Sequence, residues 1–300
     1  MSTAAKTVFL ALLVSVSSLL AEVTVNRYDL TDDEAGRSSY MSLPFRIWGS
    51  RKYRPDPAQR ISIILLSNSC SSYALQLSGK ETPDGRWLAA LGMPYPSQAN
   101  WYPQSFFTFQ CGSVESAQCQ VEIMDCQSDK EKGVVRLRYR NDDFAAKVEI
   151  TLLENDNKLL FAMHLEAVPP GIENYRLDFL CYPSSYGGGF EAGKELRDRE
   201  VKTSVRTLPC GKTSILEKEE YWLCFYDKYY DLALNRGEGP CAILFNPRQV
   251  QCAEARITNY ACSLRLNLPV SQPAFLMLWD FNGWSNRSAL DYMQALKISH

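Results

Sequence analysis

From about Tyr40 onward the chain is a succession of short β-like runs separated by turn residues; "RISIILLS", "CQVEIMDC", "GVVRLRYR", "KLLFAMHLEAV" and "CSLRLNL" are representative. Many of them alternate apolar and polar residues, and a period of two sends successive side chains to opposite faces of a pleated strand, so such runs read as half-buried β-strands. Helical patterns do not alternate with the runs, which argues against a parallel βαβ sheet. The expected fold is all-β, a large antiparallel two-sheet sandwich. One helix is expected near the C-terminus, in "NRSALDYMQALK", with Ser285 or Asn286 as cap and Leu290, Met293 and Leu296 at helical spacing. A chain of 300 residues with 46% hydrophobic content is long enough for one large core, and residues 22–300 are expected to form a single domain.

The most regular stretch is "NDDFAAKVEITLLENDNKLLFAMHLEAVPP", Asn141 to Pro170. Phe144, Ala146, Val148, Ile150 and Leu152 share one face of a first strand; Leu159, Phe161, Met163 and Leu165 share one face of a second. Both apolar sets should cover the same core. A two-residue turn at Asp156-Asn157 would pair Glu149 with His164 and Lys147 with Glu166 on the opposite, polar face. The preceding strand adds Arg136 and Arg138 to that face, and the following one is expected to add Arg176 and Asp178.

The N-terminus carries a basic residue, Lys6, then the apolar segment "TVFLALLVSVSSLLA", closing on Ala21. This is a signal-peptide pattern, too short for a comfortable membrane span, so residues 1–21 are expected to be removed and the mature chain to be secreted or periplasmic, with no membrane span of its own. The 10 cysteines all follow Ala21. An even count in an exported chain suggests disulfides, and Cys111–Cys119 and Cys252–Cys262 are the pairs that spacing proposes. Cys181 and Cys224 lie in apolar runs, where a free thiol packs as a small hydrophobe. No CxxC is present and histidines number 2, so neither a metal site nor any other cofactor is expected. The net charge of −2 and the brevity of the densest basic run, "RLRYR" (Arg136 to Arg140), speak against nucleic acid as a partner.

The amphipathic pair "TLLENDNKLLFAMHLEAV", ending in a small-residue, Pro-containing segment, resembles the central hairpin of galactose mutarotase-like β-supersandwich proteins. The resemblance covers about 40 residues. It implies two large antiparallel sheets, with carbohydrate bound on the concave polar face of one. A mutarotase of that superfamily carries a histidine in a His-Tyr-Phe-Asn-like segment just after this hairpin. Here that place holds "NYRLDFLCYPSSYGGG", and the second histidine, His300, ends the chain. Mutarotase activity is therefore not expected.

Several residues are candidates for chemistry on the polar face. His164 oriented by Glu149 could serve as a general base. Two of the carboxylates Glu149, Glu166, Asp178, Asp227 and Asp280 could divide glycosidase work between acid and base. Arg136, Arg138 and Arg176 could bind ligand beside them. Tyr95, Trp101 and Tyr102 in the Pro-rich loop "MPYPSQANWYPQ", and Trp284 beyond "DFNG", offer rings for stacking on sugars. No G-x-S-x-G elbow suggests a serine hydrolase. The sequence thus points to an exported protein that recognises poly- or oligosaccharide. A carbohydrate-active enzyme (epimerase-like isomerase, lyase or hydrolase) is the first alternative and a structural or adhesive surface protein the second.

Overall fold

The computed structural model describes residues 22–30, 42–45, 59–97, 100–183, 199–228, 239–258 and 261–296. The expected signal peptide, His300 and most of the Gly-rich stretch after Pro183 lie outside them. In chain order the strands are β1 (Thr24–Leu30), β2 (Gln59–Ser67), β3 (Ser72–Glu81), β4 (Trp87–Tyr95), β5 (Phe107–Cys111), β6 (Val114–Glu115), β7 (Gln120–Ser128), β8 (Lys132–Arg140), β9 (Ala145–Leu153) and β10 (Lys158–Ala167). They continue as β11 (Asn174–Cys181), β12 (Arg199–Thr203), β13 (Thr207–Leu208), β14 (Thr213–Ile215), β15 (Trp222–Asp227), β16 (Cys241–Phe245), β17 (Cys252–Ile257), β18 (Cys262–Pro269) and β19 (Ala274–Asp280). The helix α1 (Asn286–Ala295) follows.

These strands build two antiparallel sheets. One has ten strands, in the order β1-β2-β3-β4-β5-β11-β18-β17-β14 with β6 beside β5; the other has nine, in the order β13-β12-β15-β16-β19-β10-β9-β8-β7. The inner faces are the apolar halves of the alternating runs. Leu75, Leu77, Phe107, Phe109, Leu177 and Phe179 come from the first sheet; Val148, Ile150, Leu159, Phe161, Leu276 and Leu278 come from the second, all buried. Phe161 reaches across to Phe107 and Phe179, with ring centroids 4.8 and 5.5 Å away. Each fully buried side chain of this size contributes roughly 1.5–3 kcal/mol.

The runs "WLCFYD" and "AFLMLWD" have apolar residues on both faces because part of the nine-stranded sheet is covered twice. α1 lies over its outer face, where Ala289 and Met293 pack with Trp222, Cys224, Tyr226, Ala242 and Trp279 in a second cluster. Ser285 caps the helix, its hydroxyl accepting from the Ser288 N–H at 3.1 Å, a cap of the kind worth about 1 kcal/mol.

Four sequence expectations change. The β9–β10 connection is longer than two residues: Leu152 pairs with Leu159, leaving Glu154 to Asn157 in the turn, with Asn155 at φ 58°. Asn68, from the other sheet, holds this turn by donating to the Asp156 carbonyl at 2.7 Å. The register therefore sets Glu149 against Ala162 and His164 against Lys147. Second, β11 does not follow β10 in its sheet but crosses to the ten-stranded sheet between β5 and β18. Third, Met93 to Tyr95 continue β4 rather than opening a loop. Fourth, all ten cysteines are free thiols. Cys252 pairs with Asn267 and Cys262 with Cys181, so the expected Cys252–Cys262 pair is separated by several residues of β18, beyond the ~7 Å Cα separation a disulfide spans. The sulfur of Cys119 instead bonds to the Glu115 carbonyl at 3.6 Å.

Candidate functional site

The half of the nine-stranded sheet's outer face that α1 leaves open is built by β7, β8, β9, β10 and the start of β19. The register lines up Arg136, Glu149, Ala162 and Phe275 across β8, β9, β10 and β19, and next to them Arg138, Lys147 and His164. In the first row Arg136 faces Glu149; the second row is basic throughout, and Glu166, further along β10, pairs with its Arg138 and Lys147. Arg136 donates to Glu149 at 2.7 Å and to Asp125 of β7 at 3.2 Å. Glu166 is paired with Lys147 at 2.6 Å and with Arg138 at 2.9 Å. The Lys147 ammonium, with Arg138 behind it, holds the Glu166 carboxyl below the usual carboxylate range. The Glu149 hydrogen bond raises the Arg136 guanidinium further above its already high value.

Beside this ladder stand two rings. Phe275 is 49% exposed, although large apolar side chains of the other strand residues on this sheet are mostly covered. The small Ala162 is its neighbour on β10, and His164 stands edge-on to it, centroids 5.6 Å apart at 81°. An apolar ring lying open on a sheet, with an imidazole beside it and a charged ladder two strands away, has the composition of a small-ligand platform.

Arg136, Arg138, Glu149, His164 and Glu166 are thus brought together as expected, but Glu149 is held by Arg136 and is not opposite His164. The carboxylate–imidazole pair read from the turn is not formed, because the turn has four residues rather than two. Arg176 and Asp178 lie on the outer face of the other sheet. There Asp178 accepts from Arg176 at 2.7 Å and from Arg265 at 2.8 Å. The Arg265 guanidinium is raised by that same bond.

The aromatic candidates behave as anchors. Trp101 is fully buried, bridges to Cys181, and donates its indole N–H to the Trp279 carbonyl at 2.9 Å. Tyr102 packs against the main core, and Tyr95 packs on Phe45, centroids 5.2 Å apart. Trp284 is 36% exposed but rests against Phe281 and Tyr292. Of the two further carboxylates, Asp227 forms a buried ion pair with Arg199 at 3.6 Å, and Asp280 accepts from Asn100 at 2.8 Å. Phe275 was not singled out from the sequence. In "AFLMLWD" both alternating sets are apolar, so periodicity alone does not say which set meets solvent. Among the described residues no group of three or more His, Cys, Asp and Glu side chains could hold a metal ion, and no helix is long and apolar enough to cross a membrane.

No family model matches the chain, and neither does any curated protein. Solved structures resemble it in fold at low identity. A candidate aldose 1-epimerase from Klebsiella pneumoniae subsp. pneumoniae MGH 78578 is 9% identical, with 91% of this chain and 95% of that one covered and a TM-score of 0.43. A candidate aldose 1-epimerase from Escherichia coli K12 is 6% identical over 69% of this chain and 95% of that one, with a TM-score of 0.41. A TPR-domain containing protein from Parabacteroides distasonis ATCC 8503 is 12% identical over 92% of this chain, which spans 57% of that one, with a TM-score of 0.47. These likenesses are partial and concern the arrangement of strands alone.

Proposed function

We propose that the protein is an exported carbohydrate-recognition protein whose ligand stacks on Phe275 and is hydrogen-bonded by the charged rows beside it. The observation that carries this is the exposed Phe275 ring next to His164 and Ala162, on the sheet face that also bears the charged rows. A sugar ring presents C–H groups on one face and hydroxyls around its rim. The Phe275 face suits the first, and His164, Lys147, Arg138, Glu149 and Glu166 suit the second. Export is supported by Lys6 and the apolar run that ends at Ala21.

Recognition is favoured over turnover because the carboxylates of this face are already committed to guanidinium or ammonium partners. The test is a glycan array probed with the wild-type chain and with Phe275→Ala. Binding to one or more saccharides that Phe275→Ala loses by ~10-fold or more, the order expected for removing a stacking ring, supports the proposal. Absence of binding to any saccharide overturns it. Turnover of a saccharide that is abolished by Glu166→Gln would replace it with the enzyme alternative. Capture of a protein partner through this face, without a sugar, would replace it with the adhesive one.

A further inference from the structure

A second surface feature lies where the free edges of the two sheets meet, β1 from one and β7 from the other. A groove of about 260 Å³ opens there, lined by Arg27 of β1, Arg60 of β2, Trp87 at the start of β4, Arg140 at the end of β8, and Gln120 and Glu122 of β7. Its donors outnumber its acceptors. Arg27 is paired with Asp29 at 3.0 Å. Arg60 has no carboxylate partner among the described residues; its guanidinium carbon lies over the Trp87 ring, 4.4 Å from the centroid. Among the described residues Arg140 has only the Gln120 amide oxygen, at 3.4 Å. Trp87 is 3% exposed, yet its indole N–H has no acceptor among the described residues. A buried donor without a partner is uncommon in native proteins and calls for an explanation. The Arg60 guanidinium covers this ring, and Arg27 and Arg140 line the same groove; such planar forks match an oxyanion.

We propose that this groove binds the carboxylate or sulfate group of an acidic oligosaccharide. The saccharide part of the inference rests on the platform around Phe275, and the anion part rests on the groove alone. The nine-stranded sheet links the two, since its β7 and β8 form one wall of the groove and its β19 carries Phe275. Glu122, in the groove wall, pairs across β7–β8 with Arg138 of the charged rows, and β19, which carries Phe275, lies four strands from β7, about 19 Å at the usual strand spacing. A short acidic oligosaccharide stacked on Phe275 therefore reaches the groove with a charged substituent.

Titration calorimetry on the full chain tests this, with a uronate oligosaccharide, its neutral counterpart of the same linkage, a sulfated oligosaccharide and inorganic sulfate as probes. At least one acidic oligosaccharide binds ~10-fold or more tighter than the neutral one, the weight of a hydrogen bond to a charged group. Arg60→Met and Arg140→Met each remove that preference and leave affinity for the neutral oligosaccharide unchanged. Trp87→Phe, which keeps the ring and deletes the N–H, weakens acidic binding several-fold. Equal or tighter binding of the neutral oligosaccharide, or an acidic preference untouched in Arg60→Met and Arg140→Met, overturns the inference and leaves the platform standing. Inorganic sulfate bound as tightly as the sulfated oligosaccharide overturns the saccharide part. If no saccharide binds, the platform has failed, and the anion part is judged on inorganic sulfate: its loss in Arg60→Met supports the groove, and no binding or no loss overturns it.

Discussion

The ring of Phe275 stands edge-on to His164, centroids 5.6 Å apart at 81°, on the half of the nine-stranded sheet that α1 leaves uncovered. The same sheet carries Phe161 on its inner face, 1% exposed. Two phenylalanines on neighbouring strands therefore do opposite work, one filling the core and one meeting solvent. Phe161→Ala is expected to destabilise the protein by about 3–5 kcal/mol, through lost transfer energy and the cavity left behind. Phe275→Ala should cost about 1 kcal/mol, since roughly half its surface is already wet. Urea denaturation of the two variants checks the contrast; a Phe275→Ala loss as large as that of Phe161→Ala would show the ring to be structural.

Glu220 supplies a pH-dependent contribution. Its side chain is fully buried, and it accepts from Thr203 Oγ1 at 2.6 Å, from Arg206 Nε at 3.1 Å and Nη2 at 3.0 Å, and from the Glu217 N–H at 2.8 Å. Burial pushes its carboxyl up, and the Arg206, Thr203 and Glu217 bonds outweigh that push, leaving it below the usual glutamate value. A carboxyl with a depressed folded-state value contributes stability that is fully present above its unfolded value, about 4.3, and is lost as pH falls through the lower folded value. Glu220→Gln should destabilise by about 2 kcal/mol at pH 7, less than for a wholly buried pair because Arg206 is 42% exposed. Thermal unfolding from pH 7 to pH 3 should show the gap between wild type and variant closing below about pH 4. A gap that stays constant would count against this account.

The cysteines should separate by burial. Desolvation drives the thiols of Cys181, Cys224 and Cys262 up, and raises Cys119 and Cys241 to about 11. The thiolate is the reactive form. Iodoacetamide at pH 8 should therefore label exposed Cys70 in the folded protein and spare these five. In denaturant without reductant all ten should react, counted by intact mass; a smaller count would reveal disulfide bonds.

Trp101 tests the distinction between anchor and ligand contact. It is fully buried and donates to the Trp279 carbonyl. Trp101→Ala should cost about 3–5 kcal/mol of stability, while the folded fraction keeps the affinity of wild type for any saccharide it binds. An affinity loss without a stability loss would return Trp101 to the binding residues.

Much of the candidate face was legible in the sequence. Arg136, Arg138, Lys147, Glu149, His164 and Glu166 alternate with core residues, and any antiparallel pairing of their strands that buries the apolar set turns them outward. The Lys147–Glu166 contact was expected and is present. The Glu149–His164 contact was not formed, because a shift of two residues in the turn keeps every side chain on its face while changing its neighbour. Phe275 and the Arg27–Arg60–Trp87–Arg140 groove were not legible. The first sits in a strand apolar on both faces, and the second gathers residues from four strands across the sandwich edge.

By itself, the sequence determined the alternation that makes these strands, the capped C-terminal helix and the face to which each hairpin residue turns, since those follow from local periodicity and capping. Only the tertiary structure decided that β11 joins the other sheet and takes Arg176 and Asp178 with it. It also decided that α1 covers one half of an outer face and leaves Phe275 bare on the other, and that Cys262 faces Cys181 rather than Cys252. Those outcomes depend on which strands meet across long stretches of chain, and local periodicity, which sets a side chain's face, carries no information about its distant neighbours.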